Sequence, residues 1–495
     1  METEEATNRE RKIERLRQGS APRVLELCSG SGGLSLGLRT AGYDLVAHVE
    51  KDLVAAETYA LNFGADDKPS RWGLARDMED CSAAELVNDL GLQEPADSAF
   101  DILAAGLPCQ AFARIGRSKL RAVAGKDDAF RDDPRARLYL RFLQYVVDTE
   151  PLVILIENVP DILNFGGHNV PEEICESLED LGYRASYTIL NSAYYGVPQI
   201  RDRFFLIAFA DEVEAKPLFP EPTHFLRLPK GYEGSRQVAL KHVARDSPRF
   251  TPIYEPASEL TPAVTVKDAL DDLPFITEHL TNPRSLRRRR LSDRVPYRHV
   301  DSLSSYAQQM RNWIGFEMPL ESDGHLIRLT PRDYPIFAAM PHGADYPSAR
   351  RIAEQMLEAA LEKEGFSDDS VEYERLRASI VPPYDPSKFP NKWWKMDPGK
   401  PSRTLTAHMG KDTYSHIHYD SEQRRMVSVR EAARLQSFPD AFRFAGAMNA
   451  GFRQIGNAVP PLLGLAVARS VMAQLARVAR PEPSRCQTVE MEHAG

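Results

Sequence analysis

Cysteine is scarce in this sequence, and long apolar runs are absent. Only five cysteines occur in 495 residues, widely spaced, which excludes a disulfide-rich secreted scaffold and indicates free thiols in a reducing compartment. No CxxC pair or Cys/His cluster has metal-ligand spacing, so we predict no structural zinc. No stretch of about 18 consecutive apolar residues is present, so the sequence predicts no membrane-spanning segment.

An excess of positive charge is also missing, which argues weakly against a nucleic-acid partner. The formal net charge is −9. One segment differs, because "NPRSLRRRRLSDRVPYR" carries seven arginines between Arg284 and Arg298. It has two interpretations: a solvent-exposed loop, or a phosphate-binding strip formed by Arg287, Arg288, Arg289 and Arg290.

The pattern of apolar runs predicts an α/β fold. Between residues 22 and 212, short apolar runs such as "RVLELCSG", "FDILAAG" and "LVILIENV" alternate with helical stretches. One such stretch is "RLYLRFLQYVVDT", in which Leu138, Phe142 and Tyr145 recur at helical spacing. Short apolar strands that alternate with helices indicate a doubly wound, mostly parallel sheet.

The composition of the sequence changes near residue 213, where proline, arginine and aromatic residues become frequent and hydrophobic periodicity is poor. Helical patterns return in "SVREAARLQSFPD" and "GLAVARSVMAQLARVA". We therefore predict five regions: a polar N-terminal arm (1–20), a catalytic and cofactor-binding domain (21–212), a second, smaller loop-rich domain (213–445), a return segment that completes the first domain (446–480) and a loose tail (481–495).

A glycine-rich turn follows the first apolar run in "CSGSGGLSLGL". Gly30, Gly32 and Gly33 permit a tight turn and the close approach of a ligand to the backbone. Glu50 ends the next run about 20 residues later, where an acid binds ribose hydroxyls in nucleotide-binding α/β folds. The G-x-G-x-x-G fingerprint fails at Ser35 and no P-loop is present, so a ribose-bearing cofactor without pyrophosphate, such as S-adenosylmethionine, fits best. The alternative is a tight turn without a ligand.

Two chemically reactive side chains follow later apolar runs. Cys109 lies just past the end of "DILAAG", after Pro108, and Glu157 lies where "LVILIENV" ends. Each has an ordinary explanation, since a cysteine can be a small buried hydrophobe and a strand-end acid can cap a helix. Both explanations weaken because the two residues and the glycine turn converge on the carboxyl edge of one sheet, where α/β proteins bind ligands.

Two arginines stand at the start of the last run, in "GVPQIRDRFFLIA". Side chains two positions apart in a strand share a face, so Arg201 and Arg203 are expected to form a paired guanidinium platform. Alternating charge at a strand start is also common on plain protein surfaces.

These segments together resemble the motifs of the DNA (cytosine-5) methyltransferases of bacterial restriction-modification type. The similar segments are "LELCSGSGGLSLGLRTAGY", "HVEKD", "RDM", "GLPCQAF", "IENV", "QIRDR", "VREAARLQSFPD" and "FRQIGNAVPP", in the order of the family. The resemblance covers about 22–212 and 400–470. Cys28 stands where the family usually has Phe, and Leu107 where it usually has Pro.

The resemblance implies a role for each matching residue. Cys109 would attack C6 of cytosine, Glu157 would protonate or hydrogen-bond N3, Arg203 would hold O2 and orient Glu157, and Arg201 would support the loop. S-adenosylmethionine would be the cofactor, contacted by Cys28, Gly30, Gly32, Gly33, Glu50, Asp77, Leu107 and Asn457.

The resemblance also implies double-stranded DNA as the partner. Because stacking covers C6 inside a duplex, the cytosine must be flipped out. The loop-rich domain would read the DNA, and the basic segment after Cys109 would place Arg114, Arg117 and Lys119 near phosphates. We expect a cytoplasmic, DNA-associated bacterial enzyme that acts as a monomer, away from membranes. A cognate restriction endonuclease would act on the same sequence without a stable complex.

Three alternatives stay open at this point. An RNA cytosine-5 methyltransferase would not need so long a recognition-like region. A non-catalytic DNA-binding relative would not be expected to keep Cys109, Glu157 and Arg203. A small-molecule methyltransferase would not need the additional loop-rich residues.

Overall fold

A computed structural model of the chain describes residues 6–64, 68, 71–108, 134–244, 246–366, 370–410 and 414–479. Six strands form the central sheet: β1 (Arg23–Leu27), β2 (Asp44–Val49), β3 (Ile102–Ala105), β4 (Val153–Asn158), β5 (Tyr183–Asn191) and β6 (Asp202–Ala210).

The order of strands in this sheet is β2-β1-β3-β4-β6-β5. β1 pairs in parallel with β2 and β3, and β3 pairs in parallel with β4. β6 runs antiparallel to both of its neighbours, β4 and β5. Both faces of β3 and β4 are buried, which explains why their sequences are unbroken apolar runs. The predicted α/β fold with a mostly parallel sheet is confirmed.

Helices precede and connect these strands. They are α1 (Asn8–Arg17), α2 (Gly33–Thr40), α3 (Leu53–Phe63), α4 (Ala83–Leu90), α5 (Ala96–Ala99), α6 (Pro134–Thr149) and α7 (Val170–Glu179). Three-residue to five-residue 3₁₀ turns occupy Pro160–Asn164, Ser192–Tyr195 and Asp211–Val213.

Residues beyond 213 form short strands and helices of 4 to 19 residues. The helices are α8 (Lys230–Ala239), α9 (Val266–Leu270), α10 (Glu278–Thr281), α11 (Pro283–Arg288), α12 (Ser305–Arg311), α13 (Tyr334–Ala339), α14 (Tyr346–Glu364), α15 (Val371–Ile380), α16 (Val429–Leu435), α17 (Met448–Asn457) and α18 (Pro461–Ala479), with a 3₁₀ turn at Leu240–His242. The strands are β7 (His224–Phe225), β8 (Thr261–Pro262), β9 (Val295–Pro296), β10 (Asn312–Trp313), β11 (Phe316–Glu317), β12 (Glu321–Ser322), β13 (Trp393–Lys395) and β14 (Tyr414–Ile417).

The N-terminal helix α1 docks onto the sheet domain. Thr7 and Glu10 form a capping box at its start. The buried Lys12 Nζ donates hydrogen bonds to the carbonyl oxygens of Thr149 at 2.7 Å and of Glu150 at 2.9 Å. These carbonyls replace the water that the ammonium loses on burial.

Two glycines bring α2 and α18 into backbone contact. A β-carbon on Gly33 would lie 2.2 Å from the carbonyl oxygen of Val459, and one on Gly37 would lie 2.4 Å from the backbone nitrogen of Leu465. Any larger residue would push the helices apart. The C-terminal part of the chain is therefore held directly beside the glycine-rich turn.

Two large apolar clusters hold the described residues together. The larger surrounds the central sheet and also includes side chains from beyond residue 212, among them Leu273, Met310 and Phe438. The smaller lies between Tyr334 and Met426. The region from 213 to 445 thus shares a core with the sheet and also has a core of its own.

One stretch of the described chain, Met448–Arg477, is long and apolar enough to cross a membrane by length and composition. Its most apolar window is 72% buried inside the protein, as in the core helix of a globular fold.

Candidate functional site

A cavity of about 510 Å³ opens at the carboxyl edge of the sheet, within the size range of small-molecule sites. We call it the central cavity. Ten residues that the sequence singled out line it: Cys28, Gly30, Gly33, Glu50, Asp77, Leu107, Glu157, Arg201, Arg203 and Asn457. Cys109, Arg114, Arg117 and Lys119 lie outside the described residues.

The glycine-rich turn shapes one wall of the central cavity. Gly32 has a φ of +86° at the N-terminal cap of α2, and a β-carbon there would lie 2.3 Å from the ring of Phe63. Gly32 therefore shapes the turn and is not among the lining residues. The first N–H groups of α2 have no partner within their helix, as at any helix start.

Glu50 follows β2 and ties the glycine turn to the start of α3. Its Oε2 accepts a hydrogen bond from the Gly30 N–H at 2.8 Å, and its Oε1 accepts one from the Asp52 N–H at 2.7 Å. Burial raises the pKa of this carboxyl, and the two backbone donors oppose that effect. Each carboxylate oxygen can accept a further hydrogen bond, so Glu50 can also bind hydroxyl groups of a ligand.

Two sulfur atoms meet at the same end of the cavity. Cys28 Sγ lies 3.5 Å from Met78 Sδ, and both residues line the cavity. Burial raises the pKa of the Cys28 thiol to about 12, so it stays neutral and behaves as a small apolar group. Asp77 lies beside them, with Oδ2 3.7 Å from Lys51 Nζ.

Glu157 and Arg203 form an ion pair on the cavity wall. Arg203 Nε lies 3.0 Å from Glu157 Oε1, and the two side chains are only 10% and 11% exposed. Burial raises the pKa of Glu157 despite the opposing charges of Arg203 and Arg201. A β-carbon on Gly106 would lie 4.0 Å from Glu157 Oε2, so glycine keeps the space beside this oxygen open. Glu157 is thus a carboxyl group that can hold a proton, and Arg203 fixes its position.

Arg201 has a different environment from Arg203, although both residues line the central cavity. Arg201 is fully buried, and its guanidinium donates to the carbonyl oxygens of Leu405 and Gly456, both at 2.6 Å. These carbonyls come from the C-terminal half of the chain. Arg201 therefore joins the end of the sheet to the segments that close the cavity.

Sequence reasoning missed Asn158, the neighbour of Glu157 at the end of β4. Its Nδ2 donates a hydrogen bond to the carbonyl oxygen of Leu107 at 2.7 Å. This bond fixes the chain directly before Pro108 and Cys109. The available signal was the amide beside the acid in "IENV".

The helix α17 supplies another part of the cavity wall. Asn457 is exposed at its end, and Arg453, one turn earlier, also lines the cavity. Arg453 forms an ion pair with Asp52 at 2.9 Å. The sequence did not single out Arg453, since one arginine in a helical stretch carries no specific signal.

The arginine run lies at the end of α11 and directly after it. Arg287, Arg288 and Arg290 are exposed. Arg289 is partly buried and lies 3.1 Å from Glu278. The structure therefore shows three exposed arginines and one paired arginine in a run that looks uniform in the sequence.

The comparisons with known proteins agree with this geometry. The family model described as C-5 cytosine-specific DNA methylase matches residues 22–473. M.OihORF3336P of Oceanobacillus iheyensis is 36% identical over 452 residues, which cover 91% of this chain and 95% of that protein. The type II methyltransferase M.AgeI of Thalassovita gelatinovora is 30% identical over 475 residues, which cover 91% and 99%.

A solved structure supports the fold. The crystal structure of a protein encoded within an E. coli prophage aligns with a TM-score of 0.56 over 92% of this chain and all of that one, at 21% identity. The chain belongs to the C-5 cytosine-specific DNA methylases, and it is therefore an enzyme that transfers a methyl group to C5 of cytosine in DNA. The resemblance read from the sequence motifs is confirmed.

Proposed function

We propose that this enzyme methylates a cytosine flipped out of double-stranded DNA, with S-adenosylmethionine bound in the central cavity and Cys109 as the nucleophile. The observation that carries the proposal is the buried Glu157–Arg203 pair on the cavity wall. It lies beside Gly106, three residues before Cys109 in the chain. A proton donor and a nucleophile are what attack on a cytosine ring requires.

The residues of the central cavity fit S-adenosylmethionine. Gly30 and Gly33 leave backbone accessible at the start of α2, Glu50 has acceptor capacity for ribose hydroxyls, and Asp77 can accept from an amino group of a base. Cys28 and Leu107 offer apolar contact, Gly32 shapes the turn, and Asn457 offers an amide on the cavity wall. The cofactor supplies an electrophilic methyl group when bound.

The protein residues make C5 of cytosine reactive. Attack of the Cys109 thiolate forms a bond to C6 and moves an electron pair toward C5 and N3. Glu157 donates its proton at N3, which requires the raised pKa that burial gives it. Arg203 orients Glu157 and holds the cytosine O2, and Arg201 anchors the closing segments. After methylation, a water molecule takes the C5 proton, the C6–sulfur bond breaks with its electron pair returning to the Cys109 thiolate, and N3 returns its proton to Glu157.

The region 213–445 is the proposed target-recognition domain, with its own core between Tyr334 and Met426. Base flipping costs a few kcal/mol, which contacts from this domain and from Arg114, Arg117 and Lys119 would offset. The proposed setting is the bacterial cytoplasm, where the enzyme acts as a monomer. A cognate restriction endonuclease would share the DNA sequence but would not bind the enzyme stably.

A substrate comparison tests this proposal. Purified protein and labelled cofactor are incubated with duplex DNA, single-stranded DNA and structured RNA, and incorporated methyl groups are counted. The proposal predicts incorporation into duplex DNA, and a covalent complex with duplexes that carry 5-fluorocytosine, because fluorine at C5 blocks release of the thiolate. Incorporation only into RNA would contradict it.

Glu50→Ala is expected to weaken cofactor binding by about tenfold or more. The substitution removes a charged acceptor, and hydrogen bonds to charged groups contribute roughly 1.5–3 kcal/mol. It also releases the N–H groups of Gly30 and Asp52, which Glu50 holds at 2.8 and 2.7 Å. Isothermal titration with S-adenosylmethionine measures the dissociation constant.

Glu57→Ala is the matched control, since Glu57 is an exposed acid on the adjoining helix α3. Its dissociation constant should equal that of the wild type. An unchanged constant for Glu50→Ala, in a variant with a normal unfolding temperature, would mean that the cofactor does not bind at the glycine turn.

Replacing Arg287, Arg288 and Arg290 with alanine is expected to weaken binding to any duplex. If each exposed guanidinium contacts a phosphate, the slope of log K against log salt should fall by about 0.9 for each lost contact. The target sequence should not change, because phosphate contacts carry no base information. Salt titrations on one specific and one random duplex measure both effects.

Arg289→Ala serves as the internal control, because its ion pair with Glu278 competes with a phosphate. We expect a much smaller change in slope from this variant. Identical slopes for the triple variant and the wild type would assign the run to plain surface, and an altered methylation site would assign it to base recognition.

A further inference from the structure

A tryptophan and an arginine stack on each other where the two apolar clusters meet. In β13, Trp393 and Lys395 are buried, whereas Trp394 between them faces the other way. Trp394 is half-buried and packs against the larger cluster. The guanidinium carbon of Arg403 lies 3.3 Å from the centre of the Trp394 ring. The stacking fixes the plane of the guanidinium.

The guanidinium donors of Arg403 have no acceptor among the described residues. Among the residues that the structure describes, no acceptor lies within hydrogen-bond range of this guanidinium and no carboxylate lies within 4.0 Å of it. Two fully buried arginines of α16 differ, since Arg430 pairs with Asp323 and Arg434 with Asp272. Burial lowers the pKa of Arg403, and Tyr232 and Asp345 only partly offset this effect. A planar, preoriented cation with unused donors is suited to bind a ligand with two acceptors.

Arg403 lies on the chain segment that closes the catalytic site. The Ile200 N–H donates to the Ser402 carbonyl at 2.9 Å, and the Leu405 N–H donates to Gln199 Oε1 at 2.8 Å. The carbonyl of Leu405 is also the acceptor for Arg201. Arg403 and Leu405 are two positions apart in the chain, so their Cα atoms are at most about 7 Å apart. Arg403 is not among the described residues that line the central cavity, but its backbone lies close to the carbonyl that holds the lining residue Arg201, so a ligand of Arg403 would lie near the cavity and outside its lining.

We propose that Arg403 reads a guanine of the target sequence by donating two hydrogen bonds to its O6 and N7 atoms. This inference rests on the proposed function, because it requires duplex DNA at the site. Bidentate contact of arginine to these two atoms is the commonest specific contact in the major groove. Rigid stacking on Trp394 favours a base edge over a phosphate, since the benefit of a fixed fork is greatest where the geometry of the acceptors is fixed.

Kinetics on modified DNA test the proposal. Sequencing of methylated cytosines in DNA from a host that expresses the wild type first identifies the target sequence. Duplexes are then made in which each guanine in turn is replaced by 7-deazaguanine, which lacks the N7 acceptor. kcat/KM is measured for the wild type, Arg403→Lys and Arg403→Met. Methionine keeps aliphatic contact with Trp394 but has no donors.

We expect Arg403→Met to lower kcat/KM on the unmodified duplex by about 10- to 100-fold. At one guanine, the 7-deaza replacement should cost the wild type about tenfold and should cost Arg403→Met less than twofold. Arg403→Lys should behave like Arg403→Met, because lysine keeps the charge but loses the fork. Arg351→Met, at an exposed arginine bound to Ser348, is the control and should match the wild type.

The inference fails if Arg403→Met keeps the wild-type sensitivity to every 7-deaza replacement. It also fails if Arg403→Met only lowers the salt slope by about 0.9, which is the result for a phosphate contact. Unfolding temperature and cofactor affinity are measured for each variant, and both should be unchanged. A wild-type protein without activity on any duplex would overturn the proposed function together with this inference, whereas the first two results overturn the inference alone.

Discussion

Cys109→Ser should abolish DNA methylation, with a loss of at least about a thousandfold in kcat. A serine hydroxyl is hardly ionised near neutral pH and attacks C6 far more slowly than a thiolate, and removal of a covalent nucleophile typically costs this much or more. The cofactor should still bind, because the ten residues that the sequence singled out and that line the central cavity are unchanged. Transfer of labelled methyl groups to duplex DNA measures the first effect, and calorimetry with S-adenosylmethionine measures the second.

Cys81→Ser is the matched control for the loss of a thiol. Cys81 is half-buried and is not among the residues that line the central cavity. This variant should methylate DNA at the wild-type rate. Turnover of Cys109→Ser within tenfold of the wild type would remove Cys109 from the mechanism, and a parallel loss of cofactor binding would point to a structural role.

Glu157→Gln should lower kcat by about 10²- to 10⁴-fold, the usual contribution of a general acid. Glutamine can still accept a hydrogen bond from Arg203, which lies 3.0 Å from the native carboxylate, so the local geometry should be kept. Only the transferable proton is lost. Single-turnover rates with saturating DNA and cofactor isolate this step from binding.

The pH dependence of the rate gives a second, independent result. Burial raises the pKa of Glu157, so its protonated form persists above the usual range of a carboxyl group. A step that needs this proton should be fast below the pKa and should slow as pH rises through it. The wild type should show this alkaline decline, and Glu157→Gln should lack it.

Glu79→Gln, at an exposed acid, should leave both the rate and its pH profile unchanged. A Glu157→Gln variant with the wild-type rate would show that N3 needs no protein acid. A variant that keeps the alkaline decline would assign the titration to another group.

The sheet and the residues at its edge were predictable because a strand that is buried on both faces has an unbroken apolar sequence. The run "LVILIENV" is apolar where β4 is buried on both faces, and Glu157 interrupts it at the edge that faces the cavity. The same reasoning located Glu50 after β2. In short parallel strands, a polar residue at the end of an apolar run therefore marks the position of the site in the sequence.

The environment of Arg201 was not predictable in this way. Its partners are carbonyl oxygens of Leu405, Gly456 and Ala458, which lie 204 to 257 positions later in the chain. Every residue has a carbonyl, so no residue type marks such a partner. Spacing alone therefore indicated a shared platform, whereas tertiary contacts gave Arg201 a different environment from Arg203.

The region beyond residue 213 shows the same limit on a larger scale. Its strands have only two to four residues, and the side chains of its cores come from distant segments, as with Leu273 and Phe438 in the larger cluster. Periodicity within one segment cannot report such contacts. Likewise, the arginine run carries no sign that Arg289 pairs with Glu278.

The most direct test of the account is identification of the methylated base. Unmethylated duplex DNA is incubated with the purified protein and S-adenosylmethionine, digested to nucleosides and analysed by mass spectrometry against standards. The account predicts 5-methyl-2′-deoxycytidine that increases with time in the wild type and stays at background in Cys109→Ser. N4-methylcytosine or N6-methyladenine as the product, or 5-methyl-2′-deoxycytidine formed equally by Cys109→Ser, would contradict it.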